Sequence, residues 1–141
     1  MDFLNFLKKI PIDVGQANMR DTTMGKRIGF ESIPFGEGKE ALDVGCREGT
    51  WSERLKKKGY KVTSIDVEPH YKPAKVVDAN KKLPYKKDSF DVIWSSEVIE
   101  HLENPRESIK DMYRILRPGG MIVLTTPNSL NVDQAATTPQ E

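Results

Sequence analysis

The chain has 141 residues, of which 37% are hydrophobic and 30% are charged, and its formal net charge is +1. This length favours a single globular domain, and a net charge near zero provides no global field that would attract nucleic acid or an anionic membrane. A single cysteine excludes a disulfide framework within the chain. Since no apolar stretch approaches the ~20 residues of a membrane helix, we expect a cytoplasmic protein.

The first 39 residues are the least regular part of the chain. Apolar residues between Phe3 and Ile10 have helical spacing, which predicts a short helix that Pro11 ends. Glycines and prolines interrupt residues 14–39, where one weak helix is predicted between Met19 and Ile28. We expect residues 1–39 to form a helical cap, residues 40–127 the core and residues 128–141 a polar tail of one domain, 1–141.

A glycine-containing turn connects the first predicted strand of the core, which contains Asp43, to an amphipathic helix. This order of strand, turn and helix brings backbone N–H groups to a ligand at the helix N-terminus. The turn contains Gly45 and Gly49, but Arg47 and Thr50 occupy positions where the Gly-x-Gly-x-x-Gly fingerprint of dinucleotide-binding proteins requires glycine. The spacing argues against a nucleotide-binding oxidoreductase, an alternative that titration with NAD would test.

The next two predicted strands carry an acid near their C-terminal ends. Asp66 lies in the strand predicted over Lys61–Val67, and Asp78 lies in the strand predicted over Lys75–Ala79. The connection between them is short and contains two prolines, so we expect an extended or single-turn crossover where a full helix would be usual.

The second half of the core continues the alternation of strand and helix. Residues 88–95 are predicted to form a turn into a buried fourth strand, and residues 121–126 a fifth strand. The helix between them is expected to begin with Asn104 as its N-cap and Pro105 at its first position.

This ordered series resembles the class I S-adenosylmethionine (SAM) dependent methyltransferases, whose motif I is commonly Asp-x-Gly-x-Gly-x-Gly. Asp43, Gly45 and Gly49 match that motif, and Arg47 replaces its middle glycine. The resemblance covers about residues 40–127. It implies an α/β Rossmann-like three-layer sandwich with a parallel sheet in the order 3-2-1-4-5. The family's C-terminal antiparallel hairpin is expected to be lacking.

The resemblance also implies a cofactor site at the C-terminal ends of the first three strands. Asp66 would accept hydrogen bonds from the ribose hydroxyls, and Asp78 with the following backbone would hold the adenine. Arg47 would either meet the cofactor carboxylate or turn outward to pair with Glu48 or Glu53. The expected cofactor-binding residues are Asp43, Gly45, Cys46, Arg47, Gly49, Asp66, Val67, Asp78, Ala79 and Ser95.

Three side chains after the fourth strand suggest a second site. Glu97, Glu100 and His101 stand at i, i+3 and i+4 of a predicted short helix and would share one face. Two carboxylates and an imidazole can bind a divalent metal, and the pattern is similar to that of small-RNA 2′-O-methyltransferases and ubiquinone-pathway O-methyltransferases. Many ordinary family members carry near-identical residues without a metal. His101 or Glu97 would be the base if an acceptor hydroxyl must lose its proton.

The resemblance therefore implies an enzyme that transfers a methyl group from SAM to a small molecule, with a hydroxyl group as one candidate acceptor. The alternative is a SAM-binding regulatory or assembly module without its own acceptor site. Without the family hairpin, the fifth strand would be exposed at the sheet edge and could pair with a second copy to form a homodimer. In the competing arrangement, the tail over residues 129–141 folds back and covers that edge.

Overall fold

The computed structural model describes residues 24–126. Its strands are β1 (Glu40–Val44), β2 (Lys61–Asp66), β3 (Lys75–Val76), β4 (Phe90–Ser96) and β5 (Leu116–Thr125). Its α-helices are α1 (Met24–Glu31), α2 (Thr50–Lys57) and α3 (Pro105–Ile115), and a 3₁₀ helix spans Ile99–His101. All paired strands are parallel, in the order β3-β2-β1-β4-β5. The predicted α/β fold and strand order are confirmed.

The sheet is covered on both faces, and most residues of its central strands β1 and β4 are therefore buried. In β1, Ala41 to Val44 are all buried, and successive side chains alternate between two apolar cores. Leu42 and Val44 pack in the core that includes Met112 and Ile115 of α3. On the opposite face, Ala41 shares a core with residues of α2, β4 and the segment after α1, namely Trp51, Leu55, Val92, Trp94 and Ile33.

Helix α3 begins where the sequence predicts. The Asn104 side chain accepts a hydrogen bond from the Glu107 N–H at 3.3 Å, and Pro105 occupies the first turn, where a backbone N–H has no intrahelical partner. The helix ends at Ile115, and β5 begins at once at Leu116. The fifth strand is therefore longer than predicted, because its first residue already pairs with Phe90 ahead of a register shift.

The third strand is shorter than predicted. Only Lys75 and Val76 pair with β2, because Asp78 redirects the chain by accepting a hydrogen bond from the Asn80 N–H at 2.9 Å. The expected crossover without a full helix is found: residues 67–74 contain bends and a single turn, in which the Ala74 N–H donates to the Tyr71 carbonyl at 3.0 Å.

Some expectations concern residues outside the described range. They include the helix between Phe3 and Ile10 and the polar tail over residues 128–141. Strand β5 lies at the edge of the sheet formed by residues 24–126, and the homodimer stays a prediction. Among the helices of residues 24–126, none combines the length and apolar character needed to cross a bilayer.

Candidate functional site

A cavity of about 250 Å³ opens at the carboxyl ends of the parallel strands. This edge is where open α/β sheets bind their ligands, because the loops after neighbouring strands diverge there. The cavity brings together many of the predicted site residues. Those lining it are Gly45, Arg47, Asp66, Val67, Asp78, Ala79, Glu97 and His101.

The turn after β1 closes one wall of this cavity. Gly45 has φ +75°, and a Cβ there would lie 2.3 Å from Cγ2 of Val98. Its N–H donates to the Ile65 carbonyl at 2.8 Å. Any side chain at position 45 would therefore disfavour the backbone conformation and collide with the segment after β4.

Arg47 stands at the position of the family's middle glycine and adopts a left-handed conformation with φ +45°. It is exposed and lines the cavity. The expected alternative pairing with Glu53 is not found, because the Glu53 carboxylate accepts hydrogen bonds from the Tyr71 hydroxyl and from Lys56. Within residues 24–126, no ion pair is formed by the Arg47 guanidinium.

Asp66 ties the loops after β1 and β2 together. Its Oδ2 accepts a hydrogen bond from the Arg47 N–H at 2.9 Å, and its Oδ1 accepts one from the Glu68 N–H at 2.9 Å. Each carboxylate oxygen can accept a further hydrogen bond. The carboxylate is thus fixed by the backbone and still has acceptor capacity for a ligand in the cavity.

Asp78 and Ala79 form the wall after β3. The Asp78 turn is secured from α3 and its preceding loop: the Ser108 hydroxyl donates to the Ala79 carbonyl at 3.1 Å, and the Glu103 N–H donates to Oδ1 of Asn80 at 2.9 Å. Asn80 and Leu102 also line the cavity, although neither was among the expected cofactor-binding residues.

Asp43 does not line the cavity. It is 1% exposed, and the Ser52 hydroxyl donates to its Oδ2 at 2.7 Å, while Ser52 also lies 2.6 Å from the Ser64 hydroxyl. Burial raises the pKa of Asp43 to about 6, against the lowering effect of the Ser52 hydrogen bond. The motif acid therefore connects β1, α2 and β2 beneath the turn.

Cys46, Gly49 and Ser95 are also buried away from the cavity lining. Burial raises the pKa of Cys46 to about 12, so this thiol is not a thiolate at neutral pH. Gly49, with φ +82°, lies under the Tyr71 ring, where a Cβ would be 2.2 Å from a ring carbon. The Ser95 hydroxyl has no hydrogen-bond partner among the described residues.

The predicted helical face carrying Glu97, Glu100 and His101 is wrong. Glu97 lies outside the 3₁₀ helix, has φ +57°, and donates its N–H to the Thr125 carbonyl at 2.8 Å. Oε1 of Glu100 lies 3.7 Å from Nε2 of His101. In the part of the chain that the structure describes, no three His, Cys, Asp or Glu side chains are grouped to hold a metal ion.

Lys26 of α1 is a neighbour of the site that sequence reasoning missed. Its Nζ lies 3.3 Å from Oε1 of Glu97, and its side chain is 4% exposed. A lysine in a short, weakly predicted helix carries no sequence signal of burial, because only the packing of α1 against the sheet brings it to the end of β4.

The polar and apolar groups that line the cavity fit an adenosine-containing cation such as SAM. Carboxylates at the ends of neighbouring strands can accept hydrogen bonds from hydroxyl and amino groups, and apolar side chains of Val44, Ile65 and Val77 supply walls for a ring system. These acids are also compatible with the positive sulfur of the cofactor.

Comparisons with known proteins agree with this geometry. A family model described as a methyltransferase domain matches residues 17–139. A ubiquinone biosynthesis O-methyltransferase of Caulobacter sp. (strain K31) is 32% identical over 120 residues, which cover 73% of this chain and 46% of that protein. The chain spans about half the length of the curated relatives it matches.

Solved structures show the same fold. A SAM-dependent methyltransferase from Mesorhizobium loti superposes with a TM-score of 0.66 at 22% identity, covering 76% of this chain and 55% of that one. A phosphoethanolamine N-methyltransferase from Haemonchus contortus, in complex with phosphoethanolamine and S-adenosylhomocysteine (SAH), gives a TM-score of 0.65 at 21% identity, with coverage of 74% and 26%.

Proposed function

The chain belongs to the class I SAM-dependent methyltransferases, and on that premise we propose that its cavity binds SAM for methyl transfer to a hydroxyl group of a small molecule. The observation that carries this proposal is the meeting of the glycine turn with Asp66 and Asp78 around one cavity at the carboxyl ends of the strands.

Each cofactor-binding residue has a distinct role in the proposal. Asp66 accepts hydrogen bonds from the ribose hydroxyls with the oxygens that the Arg47 and Glu68 N–H groups hold in place. Asp78 and the Ala79 backbone hold the adenine, and Val67 supplies an apolar contact beside it. Gly45 keeps the turn close to the ligand, while Asp43, Cys46, Gly49 and Ser95 act from beneath the site.

The chain's part in the transfer is mainly positioning. When bound, SAM supplies a methyl group already activated by positive sulfur, so holding the acceptor in line contributes most of the acceleration. His101 lines the cavity and its side chain is 72% exposed, which leaves the imidazole accessible to take a proton from an acceptor hydroxyl. Glu97 is the weaker candidate base because Lys26 is paired with it.

The hydroxyl acceptor is proposed from the names of the relatives. Several of them are ubiquinone biosynthesis O-methyltransferases, and an imidazole near the open end of the cavity is a suitable base for a hydroxyl. A small-molecule acceptor is also consistent with a net charge of +1, which provides no field for nucleic acid.

The cofactor assignment is tested by Asp66→Ala. Losing a charge-assisted hydrogen bond should weaken SAM affinity by about 1.5–3 kcal/mol in calorimetry. Asp88→Ala serves as the matched control, because Asp88 does not line the cavity. Unchanged SAM affinity in Asp66→Ala would show that the ribose ligand has been assigned wrongly.

The acceptor is tested by a screen of phenols, catechols, alcohols and amines with SAM carrying a labelled methyl group. We expect label in hydroxyl-bearing compounds and a loss of at least tenfold in kcat with His101→Ala. Label only in amines would refute the hydroxyl acceptor. Bound SAM with no labelled product from any compound would favour the regulatory or assembly module.

A further inference from the structure

The Lys26–Glu97 pair places a buried cation against the cavity wall. Lys26 is 4% exposed and the Glu97 side chain 25%, and their charged atoms are 3.3 Å apart. An ammonium that is withdrawn from water is retained only where anionic or hydrogen-bonding groups compensate it. Glu97 provides such compensation, and it is itself a lining residue of the cavity.

Close packing of α1 on β5 holds Lys26 in this position. Gly29 is three residues from Lys26 and so lies on the same helical side. A Cβ on Gly29 would be only 2.9 Å from Cγ1 of Val123, which shows how closely the helix approaches the strand. The Glu97 N–H donates to the Thr125 carbonyl on the same strand, and the helix, β5 and Glu97 are thereby joined.

Glu97 is held through both its backbone and its side chain. Its φ of +57° is a conformation that side-chain-bearing residues adopt infrequently. The Thr125 hydrogen bond fixes the backbone, and Lys26 contacts the end of the side chain. Lys26 therefore affects both where the Glu97 carboxylate lies and how much uncompensated negative charge faces the cavity.

We propose that Lys26 is a positioning residue that holds the Glu97 carboxylate and neutralises it, and thereby sets how strongly the cavity prefers the methyl donor SAM to its product SAH. The inference rests on the proposed cofactor site. SAM and SAH differ by the methyl group and by the positive charge on sulfur, so their affinity ratio reports the charge that the cavity presents to the sulfur.

The sign of each effect follows from the charges. With Lys26→Met, the Glu97 carboxylate loses its cation, and the ratio Kd(SAH)/Kd(SAM) should rise about fivefold because a carboxylate attracts the sulfonium. With Glu97→Gln, the Lys26 charge is no longer balanced by this carboxylate, and the same ratio should fall by a similar factor. In the double variant both charges are absent, and the ratio should return to within twofold of the wild-type value.

Calorimetry with SAM and with SAH on these variants tests the inference. Lys26→Arg keeps the charge and should retain the wild-type ratio. Lys110→Met is the matched control, because Lys110 lies 3.3 Å from Glu107 in an exposed pair on α3 and its loss should leave the ratio unchanged. If Lys26→Met does not fold, Glu97→Gln and the double variant still decide the result.

An unaltered ratio in Glu97→Gln, or equal shifts in Glu97→Gln and the double variant, would overturn the inference. Asp66→Ala separates this failure from a failure of the proposed function. It should weaken the binding of both SAM and SAH. If it weakens neither, the cofactor site itself is wrong; if it weakens both while the ratio stays constant in every Lys26 and Glu97 variant, only the role of Lys26 is wrong.

Discussion

Arg47 combines a backbone conformation suited to glycine with a cation at the cavity. A residue other than glycine with φ +45° destabilises the fold by on the order of 1 kcal/mol. Glycine at the same position would destabilise it by a similar amount, because glycine gives the unfolded chain greater conformational freedom. The two effects nearly cancel, so the stability of the fold gives no evident reason for retaining arginine. We expect its reason to be the carboxylate of the cofactor.

Arg47→Gly should therefore separate stability from binding. We expect a nearly unchanged melting temperature and a loss of SAM affinity of about 1.5–3 kcal/mol, the range for a hydrogen bond to a charged group. Calorimetry and thermal melts on the same samples measure both quantities. SAM affinity equal to or better than wild type would contradict the carboxylate role.

Asp43 makes stability depend on pH in a direction opposite to that of an ion-paired acid. Its pKa is about 6 in the folded chain and its ordinary value is 3.8. Between these values the folded state holds a proton that the unfolded state has released, so the Asp43 contribution to the free energy of unfolding falls as the pH rises from about 4 to 6. Below pH 4 the contribution is fully present.

Asp43→Asn isolates this effect, because asparagine can still accept the Ser52 hydrogen bond. The free energy of unfolding of the wild type minus that of the variant should fall by about 2–2.5 kcal/mol between pH 4 and pH 7. Urea titrations at matched pH give the difference. A flat difference over this range would mean that Asp43 is ionised in the folded chain throughout.

Sequence reasoning located the acids at strand ends more reliably than it described their surroundings. Asp66 and Asp78 reach the cavity because parallel strands place their carboxyl ends at one edge. Asp43 matches the same motif, but the alternation of side chains across β1 directs it towards Ser52 of α2. A motif identifies the position of a residue in the sequence. The alternation of side chains along the strand determines which face the residue lies on and therefore which residues it contacts.

At the scale of elements, the crossover between β2 and β3 supports the glycine turn without a helix. The His70 N–H donates to the Arg47 carbonyl at 3.2 Å, and the Tyr71 ring covers Gly49. The Tyr71 hydroxyl contacts both Glu53 and Lys56 of α2. A short extended segment thus packs on the same turn from which the cofactor site is built.

Two Tyr71 variants separate the ring from its hydroxyl. Tyr71→Phe keeps the ring on Gly49 and loses only exposed hydrogen bonds, which contribute little, so SAH affinity should stay within twofold of wild type. Tyr71→Ala uncovers the turn, and we expect affinity to fall about fivefold with faster amide exchange at Arg47. Equal affinities in Tyr71→Ala and wild type would show that the crossover does not support the turn.

Elements could be predicted from the sequence where local signals agree with tertiary contacts. Asn104 and Pro105 marked the start of α3 correctly because a cap is a local interaction. The segment after β4 was mispredicted as a helix that includes Glu97, because the hydrogen bond from Glu97 to Thr125 joins residues far apart in sequence. The spacing of residues within a short segment cannot predict a contact of this kind.

At the scale of the whole molecule, the proposed site connects loops from four of the five described strands. Residues lining the cavity follow β1, β2, β3 and β4, and β1, β2 and β4 also contribute to the two apolar cores of the sheet. A ligand bound there contacts segments that become separated when the chain unfolds. Binding should accordingly stabilise the entire fold rather than one loop.

This linkage gives a global test that needs no methyl acceptor. SAH at one hundred times its Kd should raise the free energy of unfolding by about 2.7 kcal/mol, because the ligand binds the folded chain alone. For a domain of this size the melting temperature should rise by roughly 8–12 °C. Asp66→Ala, measured at the same SAH concentration, should show a much smaller rise because its Kd is larger.

NAD is the discriminating ligand, because it shares the adenosine part with SAH but requires a glycine spacing that Arg47 and Thr50 interrupt. We expect no shift in melting temperature with NAD at concentrations that saturate with SAH. The two ligands also differ in the group attached to the ribose, which is a pyrophosphate in NAD and a short amino acid chain in SAH. A shift with NAD equal to that with SAH would mean that the cavity recognises adenosine alone, and that the glycine turn does not select between the two cofactors.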